Sequence, residues 1–196
     1  FSPSRQKKIN NASLRMIVLS DKSDEDARFM LFERINTGSN LLNDMEKRRG
    51  IFQGKFLTFL TECASSEKFN SVARFTELTK KRREPEEFVL RFFAFSDKYQ
   101  EFTGNNLSNF LNIYLKEKNI SFNKVELKKR FEGMCDFVYE NFPNGFLKMK
   151  NFKSTSKLRF EAISVGVYLA LNERPDLKVN NVAWVNSTEF ETWTSG

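Results

Sequence analysis

Most of the polar chemistry of this chain is gathered in one short stretch, at Phe32, Arg34, Asn36, Thr37, Gly38, Ser39, Glu46 and Arg48. Helical spacing sets Phe32 and Asn36 on one face, with Phe29 a turn earlier on the same side. Thr37-Gly38-Ser39 then offers backbone N–H donors and hydroxyls at a helix end, a combination that suits an anion. It lacks the glycine-rich spacing and the lysine of a phosphate-binding loop. A plainer reading of the same residues stands beside this one. Phe32 is core, Asn36 and Gly38 end a helix, and Glu46 completes a cap on Asn43.

A second constellation lies between Phe146 and Phe160, where Lys148, Lys150, Lys153, Lys157 and Arg159 occur without an acidic residue, interleaved with Phe152, Ser154, Thr155 and Ser156. Cations and hydroxyls in this mixture suit contacts with nucleic-acid phosphates. The plainer alternative is a solvated loop and helix start. Glu126-x-Lys128 and Pro175-Asp176 supply the letters of a metal-dependent nuclease but neither its spacing nor its strand setting, so no metal ligand is assigned. Asp24, Glu25 and Asp26 fit the first turn of a helix, where the dipole favours negative charge, with Ser23 as its cap.

Composition removes other chemistries. The chain has no histidine, which excludes Ser-His-Asp and Cys-His triads and histidine general bases from anything it does alone. Cys63 and Cys135 show no close-spaced pattern, so neither a zinc site nor a disulfide scaffold is indicated, and a reduced, cytoplasmic protein is the simplest expectation. A net charge of +7 favours polyanions without identifying one. No stretch has the roughly 18 apolar residues of a membrane span, and no signal peptide opens the chain. Its start at Phe1 and abrupt end at Thr192-Trp-Thr-Ser-Gly196 lead us to expect a fragment.

These residues must be held by a core, and 22 phenylalanines among 196 residues supply its bulk. The periodicity predicts a mainly α-helical bundle of about six or seven helices, over residues 23–196. A strand-like run at Met16-Ile-Val-Leu19 falls in residues 1–22; a lone strand is unstable in water, so it either packs along the helical body or is the remnant, the last strand, of a missing sheet domain. Ala27, Met30, Leu31, Arg34 and Ile35 share one helix face and Phe29, Phe32 and Asn36 another, which predicts a helix wedged between two partners. Helical spacing continues from Asp44 to about Ser65 through Met45, Phe52, Phe56, Phe59, Leu60 and Cys63. Gly50 and Gly54 fall on one face, which permits close approach of another backbone at a cost to helix stability, and a break is expected near Gly50. A basic connector, Thr79 to Pro85, leads to a helix reaching about Tyr99 that buries Phe88, Val89, Phe92, Phe93 and Phe95. Further amphipathic helices are expected from Leu107 to about Lys118 and from Asn123 to about Asn141, the latter with Val125 on its apolar face. Pro143-Asn-Gly145 is a turn. Ala162 to Leu171 is apolar nearly all round, which predicts a central buried helix ending before Pro175.

Phe32-Glu-Arg-Ile-Asn-Thr-Gly38, followed by Leu41, Leu42 and Glu46-x-Arg48, resembles the Phe-x-x-x-Asn motif and its continuation in the GmrSD-type restriction endonuclease N-terminal family. Glu87-Phe-Val-Leu-Arg91-Phe, the segment Ser154 to Gly166 and Ser187-Thr-Glu-Phe190 resemble the helical region that follows in one branch of that family. The resemblance implies a ParB/sulfiredoxin-like nuclease fold whose sheet domain carries an Asp-Gly-Gln-Gln-Arg motif, binds or hydrolyses nucleoside triphosphates, and serves in restriction-modification or phage defence against foreign DNA. NTP and Mg would be needed by the intact protein rather than by this piece. Phe32 would pack beneath the site, Asn36 would bond within it, and Arg34 would pair with a phosphate or a carboxylate. No Asp-Gly-Gln-Gln-Arg occurs here, so these residues would form half of a composite site facing the N-terminal strand. DNA and the missing ParB-like domain are the implied partners, and the piece alone is expected to be catalytically inactive. A non-enzymatic nucleic-acid-binding or protein-interaction module is the alternative.

Overall fold

The structure, a computed structural model, describes residues 2–13, 25–35, 41–179 and 181–194, with the side chains of residues 25, 26, 32 and 33 set aside. Eleven α-helices occur among the described residues: α1 (Pro3–Asn10), α2 (Glu25–Ile35), α3 (Asp44–Ile51), α4 (Lys55–Ala64), α5 (Glu67–Val72), α6 (Glu77–Lys81), α7 (Glu84–Lys98), α8 (Leu107–Ile120), α9 (Lys124–Asn141), α10 (Lys157–Glu173) and α11 (Thr188–Thr194). The mainly helical class is as the periodicity indicated. The number is higher than six or seven because α1, α5, α6 and α11 are short and lack a repeating apolar stripe of their own. The strand expected at 16–19 and the capping Ser23 lie outside the described residues.

Helix α7 is the hub, packed against α10, α4, α8 and α6. Its Phe88, Val89, Leu90, Phe92, Phe93 and Ala94 are all buried, while Phe95 is half-buried. Around it run two connected aromatic clusters. In one, the Phe56 ring meets Phe59, Phe93, Tyr114 and Phe122 at centroid distances of 5.1–6.1 Å. In the other, Phe69, Phe75, Phe88, Phe146 and Phe160 interlock at 4.8–5.8 Å. Phe131 touches Phe69, Phe92 and Phe93 and so joins the two. Each fully buried phenylalanine contributes about 1.5–3 kcal/mol by removal from water, and the edge and tilted contacts add orientation.

The helical stretch expected from Asp44 to about Ser65, with a break near Gly50, breaks at 52–54. Asn119 of α8 satisfies the backbone on both sides: its Nδ2 donates to the Phe52 carbonyl at 3.2 Å, and its Oδ1 accepts from the Phe56 N–H at 3.1 Å. A Cβ on Gly54 would sit 2.3 Å from that Oδ1, so the close approach needs glycine there. At Gly50 the same atom would meet nothing within 4 Å. The basic connector also differs from expectation, because part of it is α6 and its Arg82 is fastened to the start of α3.

Two helices bury less than their composition suggests. On α10 only Phe160, Ile163, Ser164, Val167 and Arg159 are buried, and Ala162 and Gly166 face outward. The reason is placement: α7 and α9 cover one side, and the other side borders an open groove with Phe95, Tyr99 and Trp193. On α2, Phe29 is buried against Phe52, with ring centroids 6.1 Å apart, whereas Met30 and Ile35 are 55% and 65% exposed. The two-sided burial predicted for α2 is therefore corrected to one side, that of α3. Val125, expected on the apolar face of α9, is 79% exposed near the helix start.

Candidate functional site

The residues around α3 can be rebuilt from local chemistry. Asn43 caps α3 by accepting from the Glu46 N–H at 2.9 Å, and Glu46 returns the bond by accepting from the Asn43 N–H at 2.8 Å. This is the reciprocal box expected from the Asn43 and Glu46 spacing. Arg82 extends it, since its guanidinium lies 3.2 Å from Glu46 Oε2 and donates to the Leu41 carbonyl. Its own carbonyl accepts from Asn43 Nδ2 at 2.7 Å. Glu46 thus holds the α3 start against the end of α6.

Arg48, one turn on, is 1% exposed. Nε donates to Asn112 Oδ1 at 2.8 Å, and Nη2 donates to Ser108 Oγ at 3.0 Å and to the Ser108 carbonyl at 3.3 Å. Its nearest carboxylate is Asp44, 3.9 Å away and 40% exposed. Burial lowers the Arg48 pKa, opposed by the field of Glu87 and Asp44. Arg48 therefore bolts α3 to α8. Arg34 is exposed on α2. The side chain of Phe32 and residues Asn36, Thr37, Gly38 and Ser39 lie outside what is described, and with them the expected orientation of Phe32 and Asn36.

An ion-pair network that single-sequence reasoning missed sits between α7 and α10. Arg91 bonds Glu87 at 2.7 Å and Glu161 more closely still, with Lys157 3.5 Å from Glu87. Arg49 reaches Glu86 at 2.9 Å and Thr61 Oγ1 at 3.1 Å. Glu86 and Glu87 are buried, so these carboxylates balance guanidinium charge inside the fold. The one legible signal was the four-residue spacing of Glu87 and Arg91 on a helix. A further knot is Asp97, which accepts from Tyr114 Oη and Lys118 Nζ at 2.8 Å each and from Arg130. Burial alone would raise the Asp97 pKa, but these donors hold it below the usual carboxylate range.

The basic run is divided by the fold. Lys148 pairs with Glu191 at 2.8 Å, and Lys157 faces Glu87. Arg159 is 4% exposed; it donates to the Val185 carbonyl and to Asn186 Oδ1, with its guanidinium carbon 5.4 Å from the Phe190 ring centre. Lys150 and Lys153 are exposed and make no ion pair among the described residues. The cysteine thiols are buried, and burial pushes that of Cys63 up to about 12, which keeps it unreactive at neutral pH. Among the described residues no group of three or more acidic or cysteine side chains is placed to hold a metal, and no helix is long and apolar enough to cross a membrane.

The chain matches no family model, no curated protein and no solved structure. Its function must be argued from the geometry above and from the motif resemblance.

Proposed function

We propose that the chain is the helical lobe of a GmrSD-type, ParB-like defence protein, a DNA-directed nuclease or NTPase when intact, and that the lobe by itself is catalytically silent. It completes a composite site by presenting α2 to the sheet domain. The observation that carries this reading is the open side of α2. Met30 and Ile35 are largely exposed beside the exposed Arg34, while Phe29 on the opposite side anchors the helix to the core. A firmly anchored helix with an uncovered apolar stripe and a cation in it suits contact with a partner domain. The internal roles of Glu46 and Arg48 fit the same reading, since they fix α3, the element that follows the Phe-x-x-x-Asn motif in the sequence.

The test uses a Met30→Glu, Ile35→Glu double variant. Both positions are exposed, so the helical circular-dichroism spectrum and urea midpoint should hold while association with the ParB-like segment is lost. Unchanged association would overturn the docking assignment. The 196-residue chain should hydrolyse neither ATP nor GTP and should not nick DNA with magnesium. Activity that disappears on Asn36→Ala would overturn the claim of catalytic silence.

The second reading, a nucleic-acid-binding module, is favoured by the free cations Lys150 and Lys153. It loses support from Lys148, Lys157 and Arg159, which are engaged within the fold.

A further inference from the structure

We propose that the pocket between α5 and the loop after α9 binds a nucleotide, taking its phosphate on Arg74 and Lys150 and its base against Tyr139. The inference shares no residue with α2 and does not rest on the lobe assignment. The pocket encloses about 270 Å³ and is walled by Asn70, Arg74, Tyr139, Asn144, Gly145 and Lys150, with no carboxylate in its lining. That volume is near the lower end of the roughly 300–1,000 Å³ typical of small-ligand sites.

The walls are built rather than incidental. The loop from 142 to 156 is laced to the strand-like segment after α5: the Phe146 N–H donates to the Val72 carbonyl at 2.9 Å, and the Thr155 N–H donates to the Arg74 carbonyl at 2.9 Å. The Arg74 N–H in turn donates to Thr155 Oγ1 at 3.0 Å. Gly145 allows this closeness. Its φ of +54° is left-handed, and a Cβ there would come within 2.3 Å of the Val72 oxygen. The floor is thereby fixed before any ligand arrives.

Charge then selects the ligand. Arg74 Nη1 donates to the Lys150 and Phe152 carbonyls at 3.0 Å each, so the guanidinium is oriented by neutral acceptors, and among the described residues no carboxylate pairs with it. Lys150 lines the same pocket, is exposed, and has no carboxylate partner among the described residues. Two cations lining one pocket that has no carboxylate in its lining attract an anion, and a guanidinium held in a fixed plane matches phosphate geometry. Tyr139 is 68% exposed on the rim. An exposed ring next to paired cations is the arrangement on which a base stacks while its phosphate is neutralised. The Asn144 side-chain amide, also in the lining, supplies a neutral donor and acceptor. A free nucleotide and a nucleotide within a single strand present the same chemical group.

The test is fluorescence anisotropy of a labelled oligothymidylate at about 50 mM salt, followed by competition with adenosine monophosphate and with inorganic phosphate. Wild type should bind. Tyr139→Ala should weaken binding about fivefold or more, and Lys150→Gln should weaken it and lower the salt slope by about 0.7. Lys153→Gln, which alters a cation outside the pocket, should have the smaller effect. All three side chains are exposed, so the helical spectrum should be unchanged. Competition by adenosine monophosphate beyond that of inorganic phosphate assigns the pocket to free nucleotide, and its failure assigns it to the strand. Equal losses at Lys150 and Lys153 with none at Tyr139, or no binding of either probe, would overturn the proposal.

Discussion

Replacing Asn112 by leucine removes the acceptor that meets Arg48 Nε at 2.8 Å and leaves a guanidinium that is 1% exposed short of a partner. The exposed Asp44 at 3.9 Å cannot substitute, because it does not bond Nε. Stranding a buried polar group costs about 1–3 kcal/mol, and more when the group is charged. Breaking buried charged arrangements costs about 3–5 kcal/mol. Leucine keeps the branched four-atom outline of asparagine, although it is bulkier, and adds apolar contact, so Asn112→Leu should cost about 3 kcal/mol. Arg48→Met removes the desolvated charge itself but strands the asparagine oxygen, and should cost about 1–2 kcal/mol. In the double variant neither group is stranded, so the joint cost should fall short of the sum by at least about 1 kcal/mol. Urea unfolding followed at the helical band measures all three differences. Costs that add to within about 0.5 kcal/mol would refute the bond as a fastening and return Arg48 to the set of candidate site residues.

Asp97→Asn should lower the urea midpoint at pH 7, because Tyr114, Lys118 and Arg130 all bond the carboxylate. Its folded pKa lies below the unfolded value of about 3.9, so its contribution is present above that pH and disappears as the pH falls through the folded value. The gap between parent and variant should therefore close below about pH 4. Gly145→Ala should cost about 2 kcal/mol or more in thermal or urea unfolding, since a left-handed φ and a clash with the Val72 oxygen act together.

Much of the fold was legible because its signals are local. Apolar residues recurring every three or four positions mark α4, α7 and α9, Asn43 with Glu46 marks the start of α3, and Pro143-Asn-Gly145 marks the turn after α9. What the sequence left open depends on residues far apart in the chain. Arg48 looks like a site residue until Asn112 and Ser108 of α8 are brought to it, and Arg159 looks like a phosphate ligand until Val185 and Asn186 accept its bonds. Apolar composition likewise cannot say which side of a helix finds a neighbour. For that reason the outward faces of α2 and α10 were expected to be buried, and Val125 with them. Arg74 drew no attention in the sequence, because nothing local links it to the loop that it orients.

That this lobe completes a site housed in a preceding domain is tested most directly by the coding sequence upstream of the Phe1 codon. A strand-rich segment in the same frame carrying Asp-Gly-Gln-Gln-Arg is the predicted result. A start codon directly before Phe1, or an upstream segment without that motif, would contradict it.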